Sequence, residues 1–152
     1  VNNLQKLSLL PKITELFGED LSAKTLGVWG LAFKPDTNDV REAPALYLLH
    51  ELAKRGAKMK AYDPEARETF KKAASDLVNK NTEYVDSPNN ALNEVDALVI
   101  CTEWSEFRVT NLEYFKNYMD KPIIFDGRNL YDLEKVNNAG WTYISVGRPR
   151  IN

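Results

Sequence analysis

Apolar residues along the chain fall into short blocks separated by polar loops. Leu4, Leu7, Ile13, Leu16 and Phe17 recur near helical spacing, with Gly18 placed to end a helix and Pro11 placed to kink or divide it. The block over 25–31 is apolar, carries β-branched Val28 and is punctuated by Gly27 and Gly30, which predicts a central strand. Pro44 suits a first helical turn, and Leu46, Leu49 and Ala53 then mark a helical face that ends at Arg55-Gly56. A strand is expected over 58–62, stopped by Asp63-Pro64, followed by a charged helix over 64–78. A short strand over 82–85 and a short helix over 88–93 come next. The run over 96–102 is the clearest buried strand. A helical stretch over 111–118, a strand over 122–125, a turn at Asp126-Gly127, a helix over 132–139 and a strand over 141–146 complete the chain.

Strands that alternate with helices require right-handed crossovers and a mostly parallel sheet covered on both faces. The expected fold class is therefore α/β, with a helical segment ahead of the sheet and a boundary near 18–23. In such a sheet the carboxyl ends of all strands share one rim, and ligands bind there. The residues expected on that rim are Phe33, Lys34 and Arg41 after the first strand and Asp63 after the second. Thr102, Glu103 and Trp104 follow the Cys101 strand, and Asp126 to Asn129 follow the next. The loop from Gly30 to Pro44 is too long for a plain connection. With Lys34, Arg41 and Arg128 the rim is cationic, which points to an anionic ligand, most simply a phosphate.

Each candidate has a plainer reading. Lys34 and Arg41 could simply be solvated loop charges, but the anion reading is favoured because Arg41 also precedes a helix N-terminus, where anions bind. Asp36, Asp39 and Glu42 could suggest a metal, but Asp39 and Glu42 more simply cap a helix start or pair with Arg41. Asp63 stands where a dinucleotide fold places its ribose-binding acid, yet before Pro64 an N-cap is the favoured reading. Gly27 and Gly30 do not make the GxGxxG fingerprint. His50 is the only histidine and lies mid-helix, away from any nucleophile. Cys101 lies in an apolar strand, where a thiolate is disfavoured. Trp29, Trp104 and Trp141 read as core or rim packing. No nucleophile–base pair emerges, and no catalytic or metal-binding residue is assigned.

Composition narrows the classes further. A chain of 152 residues can bury about 70% of its unfolded surface, enough for one core. With 20 basic and 22 acidic side chains the net charge is −2, which argues against a nucleic-acid surface or a polybasic membrane arm. No apolar run approaches the roughly 18 residues of a membrane span. A single cysteine excludes an internal disulfide and suits a reducing, cytoplasmic compartment. The start at Val1, without a leader, fits a fragment of a longer protein.

Four segments together carry a specific resemblance: Gly30-Leu31-Ala32-Phe33-Lys34-Pro35-Asp36 through Arg41-Glu42-Ala43-Pro44, Ala61-Tyr62-Asp63-Pro64, Ala97 through Trp104, and Ile124-Phe125-Asp126-Gly127-Arg128-Asn129. In that order they resemble the carboxy-terminal domain of nucleotide-sugar dehydrogenases, and Cys101-Thr102-Glu103-Trp104 leans towards the UDP-glucose 6-dehydrogenase members. The resemblance implies a three-layer, Rossmann-like UDP-sugar-binding domain over 23–152, with 1–22 as the end of a central helix and linker. It implies two oxidations of UDP-glucose to UDP-glucuronate by NAD, through a cysteine thiolate and a thiohemiacetal in an upstream region absent here. By position, Phe33, Lys34 and Arg128 resemble residues that meet the nucleotide sugar. Arg41 resembles one that reaches towards the cofactor's pyrophosphate. The implied partners are the UDP sugar, an amino-terminal NAD-binding domain of the same chain and a second copy in a homodimer. The fragment alone is expected to be inactive. The alternatives are a GDP-mannose or UDP-N-acetyl-sugar dehydrogenase, or a non-catalytic Rossmann-like module.

Overall fold

The computed structural model describes residues 8–152, so Leu4 and Leu7 of the expected first helix lie outside the described residues. Helix α1 (Leu10–Phe17) takes Pro11 into its first turn, where a missing N–H costs nothing, and so the proline starts the described helix instead of kinking it. Gly18 ends it at φ 91°, its N–H returning to the Thr14 carbonyl.

Six strands follow: β1 (Thr25–Trp29), β2 (Lys58–Tyr62), β3 (Thr82–Tyr84), β4 (Ala97–Ile100), β5 (Ile123–Asp126) and β6 (Thr142–Ser145). They pair in the order β3-β2-β1-β4-β5-β6, and every pairing is parallel. The mostly parallel sheet expected from the sequence is thus all parallel. β1, β4 and β5 are buried over nearly their whole length, which is why they read as unbroken apolar runs.

The order reverses between β1 and β4, because the chain runs outward from β1 through β2 to β3 and then crosses back. Helix α2 (Pro44–Lys54) makes the first crossover. Its buried face is Ala45, Leu48, Leu49, Leu52 and Ala53, one step round from the expected Leu46 stripe. The single helix expected over 64–78 is two, α3 (Arg67–Ala73) and α4 (Asp76–Asn81), because Ser75 breaks the run and caps the second through the Val78 N–H. A 3-10 turn (Asn90–Leu92) crosses the sheet on the way back to β4. Gly27 lies beneath it, since a Cβ there would strike the Ala91 carbonyl oxygen. Two short helices, α5 (Ser105–Arg108) and α6 (Leu112–Phe115), connect β4 to β5, and α5 is a turn the sequence pattern missed. α7 (Leu133–Asn138) connects β5 to β6.

The tryptophans close this frame. Trp29 stacks on Phe107 at 4.8 Å and donates its indole N–H to the Pro88 carbonyl, while buried Trp141 donates to the Leu112 carbonyl. No helix among the described residues is long and apolar enough to cross a membrane.

Candidate functional site

The carboxyl ends of β1 and β4 flank the point where strand order reverses, the usual ligand position in open α/β sheets. Gly30 leaves β1 at φ 97°, and a Cβ there would lie 2.5 Å from the Thr102 Cβ. Glycine is therefore required twice, by the backbone and by Thr102. Thr102, fully buried, donates its hydroxyl to the Ala32 carbonyl at 2.7 Å. The space at which a dinucleotide-binding turn admits a pyrophosphate is filled here by a protein side chain.

Asp63 completes the closure from β2. Its Oδ2 accepts the Leu31 N–H at 2.7 Å, the Ala32 N–H at 3.1 Å and the Trp104 indole N–H at 3.2 Å. Its Oδ1 accepts the Glu65 and Ala66 N–H groups at 2.8 and 2.7 Å. Asp63 thus organises the turn ahead of α3, not the helix itself, whose N-cap is Ala66 without a side-chain cap. With both oxygens occupied, the carboxylate is structural. Trp104 packs at the rim as expected and supplies one of its donors.

Beyond Ala32 the long loop folds on itself. The Phe33 N–H donates to the Asp39 carbonyl, the Asp39 N–H to the Thr37 hydroxyl, and the Thr69 hydroxyl to the Asn38 carbonyl. Asp36 and Glu42 both sit at positive φ, 64° and 62°. Arg41 grips Asp39 through Nε at 3.0 Å and Nη2 at 2.9 Å, and its backbone N–H adds a third bond. Those bonds from Arg41 hold the Asp39 carboxyl down at about 2. Asp39 therefore pairs with Arg41 and caps no helix; α2 has Ala43 at its N-cap. Among the described residues no cluster of His, Cys, Asp and Glu could hold a metal ion. The loop leaves Phe33, Lys34 and Arg41 outward, Phe33 at 39% exposure and the Arg41 side chain at 88%. Lys34 makes no hydrogen bond or ion pair among the described residues.

The third part of the rim is the loop after β5. Asp126, fully buried, accepts the Arg128 N–H through Oδ1 and the Leu130 N–H and Tyr143 hydroxyl through Oδ2. The loop so held aims the Arg128 side chain at Glu103, Nη2 to Oε2 at 2.8 Å. Burial is the largest single influence on Glu103 and opposes its charge, but the Arg128 hydrogen bond, the Glu103 backbone N–H and the positive charges of Arg128 and Arg108 together outweigh it, and the carboxyl stays below its usual range. Glu103 had a place on the expected rim but no role. Its pairing with Arg128 spans two adjacent strand ends and leaves no local signal in the sequence.

A small cleft of about 50 Å³ lies between Leu9, Pro44, Leu48, Gly127 and Arg128, with Cys101 at its floor. Burial pushes the Cys101 thiol up to about 12, so it stays protonated and offers no nucleophile. The His50 ring contacts the Ser75 hydroxyl at 3.2 Å, away from the rim. The structure thus brings Phe33, Lys34 and Arg41 together on one loop, and joins Arg128 to Glu103 on the neighbouring strand ends. It supplies exposed cations on a rigid base, which can hold anions and hydroxyl groups.

Residues 27–133 match the UDP binding domain of the UDP-glucose/GDP-mannose dehydrogenase family. All four of the segments that carry the sequence resemblance fall within, or reach into, that match. The chain is 39% identical over 150 residues to UDP-glucose 6-dehydrogenase TuaD of Bacillus subtilis, covering 99% of this chain and 32% of that protein. It is also 39% identical to the UDP-glucose 6-dehydrogenase of Pseudomonas aeruginosa, covering 98% of this chain and 33% of that protein. Among solved structures, a UDP-glucose dehydrogenase from the archaeon Pyrobaculum islandicum superposes with a TM-score of 0.72 at 28% identity, over 97% of this chain and 30% of that one. The chain spans about a third of the length of these relatives.

Proposed function

Because the chain belongs to the UDP-glucose/GDP-mannose dehydrogenase family and matches its UDP binding domain, we propose that it holds the nucleotide-sugar half of the active site in a UDP-glucose 6-dehydrogenase. Residues 23–152 form that domain, and 1–22 end the segment that joins it to the rest of the enzyme. The observation that carries the reading is the rim where strand order reverses: its backbone is locked by Asp63, Thr102 and Asp126, while Phe33, Lys34 and Arg128 project from it. A locked backbone from which the cation Lys34 projects unpaired, with Arg128 held in place by Glu103, suits a charged ligand, because little ordering entropy is lost on binding.

The full-length enzyme oxidises UDP-glucose to UDP-glucuronate in the cytoplasm, as a homodimer, with its amino-terminal domain completing the pocket. NAD supplies the oxidising equivalents when bound there. The residues of this chain fit that cofactor only at the edge. The glycine turn that would admit a pyrophosphate is filled by Thr102, but Arg41 keeps its Nη1 group and most of its surface outward while Asp39 holds the other face. Arg41 therefore meets the cofactor's pyrophosphate from across the domain boundary. On this reading the chain alone is inactive, since Cys101 is a buried, protonated thiol and the nearby Asp126 carboxylate is committed to the Arg128 and Leu130 N–H groups and the Tyr143 hydroxyl.

Titration calorimetry with UDP, and GDP as the control, tests the reading on this chain and on the full-length protein. Saturable binding that prefers UDP is expected in the full-length protein. Equal affinity for UDP and GDP, or no affinity for either, would overturn it.

A further inference from the structure

Two cations of the rim stand in opposite electrostatic settings. Lys34 makes no hydrogen bond or ion pair among the described residues and feels the Asp39 carboxylate, itself held by Arg41, only at a distance, whereas Arg128 is neutralised by Glu103 at 2.8 Å. Glu103 itself is only half satisfied. Oε2 accepts from Arg128, while Oε1 is buried and finds no hydrogen-bond partner among the described residues. A buried carboxylate oxygen without a donor is costly, and such exceptions call for a cause. Arg128 commits only Nη2 to the pair, so its remaining N–H groups stay available next to the unpartnered oxygen.

The pair therefore presents an acceptor beside donors, with no net charge. A phosphate is a poor match, because it accepts only and is repelled by Glu103. A sugar hydroxyl is a good one, because it donates to Oε1 and accepts from the guanidinium. We infer that Glu103 is a specificity-determining residue whose Oε1 accepts a hydrogen bond from a sugar hydroxyl of the bound nucleotide sugar, the Arg128–Glu103 pair reading hydroxyls while Lys34 faces phosphate. The inference rests on the proposed UDP-sugar site and deepens it. The hydroxyl belongs to the ribose or to the hexose, and the same chemistry serves both.

The test uses the full-length protein, wild type and Glu103→Gln, with UDP-glucose, UDP, 2′-deoxyuridine diphosphate and inorganic pyrophosphate titrated separately. Glu103→Gln should weaken UDP-glucose by about ten- to a hundredfold, the range of one hydrogen bond to a charged group. Pyrophosphate, which has no sugar hydroxyl, should change by less than about twofold. A loss for UDP-glucose alone assigns the contact to the hexose; a loss shared by UDP but absent for the deoxy ligand assigns it to the ribose. Glu103→Ala, checked for an unchanged melting midpoint, should give the same ranking of ligands. Equal losses for every ligand, including pyrophosphate, would mean that Glu103 only positions Arg128, and would overturn the inference. So would tighter pyrophosphate binding together with tighter UDP-glucose binding, or no change at all. A wild-type protein that fails to bind UDP-glucose would overturn the proposed function itself, which separates the two failures.

Discussion

Asp63 and Asp126 do similar work at opposite halves of the sheet, and differ in how far it reaches. Each is a buried aspartate at the carboxyl end of a strand, and each collects backbone N–H groups from a loop that bears proposed ligand contacts. Asp126 serves its own loop and is joined by Tyr143 from the neighbouring strand, whose hydroxyl also accepts from Arg148. Asp63 serves its own turn, but also the loop after β1 and the indole after β4. One carboxylate thus ties three strand ends at the reversal point, while the other ties two at the edge. Damage at Asp63 should spread across the site, and damage at Asp126 should stay within the Arg128 loop.

The sharpest break of this contrast is Asp63→Ala. It strands the N–H groups of Leu31, Ala32, Glu65 and Ala66 and the Trp104 indole. A destabilisation of about 3–5 kcal/mol is expected in urea unfolding; less than about 1 kcal/mol would erase the difference between the two aspartates. Asp126→Asn should cost about 1–3 kcal/mol. Amide exchange should quicken at Arg128 and Leu130 while Leu31 and Ala32 keep their protection. Exchange that quickens equally in both loops would show that the halves are not independent. Tyr143→Phe removes one buried hydroxyl bonded to Asp126, and should cost about 1 kcal/mol in the same unfolding assay.

The ion pairs give the smallest effects. Glu103 titrates below its usual value in the folded chain, so its contribution is fully present above the ordinary carboxylate range and is lost as pH falls through the folded value. Glu103→Gln should flatten the acid limb of stability against pH by less than about 1 kcal/mol, because the pair is partly exposed. Arg41→Ala should leave the unfolding midpoint unchanged, return the Asp39 carboxyl from about 2 towards 3.8 in an NMR titration, and impair NAD use more than UDP-glucose affinity in the full-length protein. Equal impairment of both would count against Arg41 meeting the cofactor.

The frame was legible because its signals are local. Buried parallel strands are apolar runs, and glycine and proline punctuate their ends, so β2 is found at its expected bounds and the others within a few residues. The rim was legible for the same reason, since parallel strands place their carboxyl ends together. Pairings across the chain were not. Asp63 was readable as an aspartate before proline, but its bonds to Leu31 and Ala32 depend on the parallel register of β1 and β2. Glu103 and Arg128 likewise meet only because β4 and β5 are neighbours. The break at Ser75 escaped because charged residues on both sides suit one helix as well as two.

The strand order also has a consequence for synthesis. β1 is made before β4, yet one of its edges is covered only by β4, and the Thr25 N–H by Asp96. A nascent chain that has emerged only as far as β3 therefore carries an apolar central strand with an open edge, a template for unwanted pairing. The reversal point does not exist until residues 97–102 arrive, so no ligand rim can form on a ribosome-bound chain before β4 has been made.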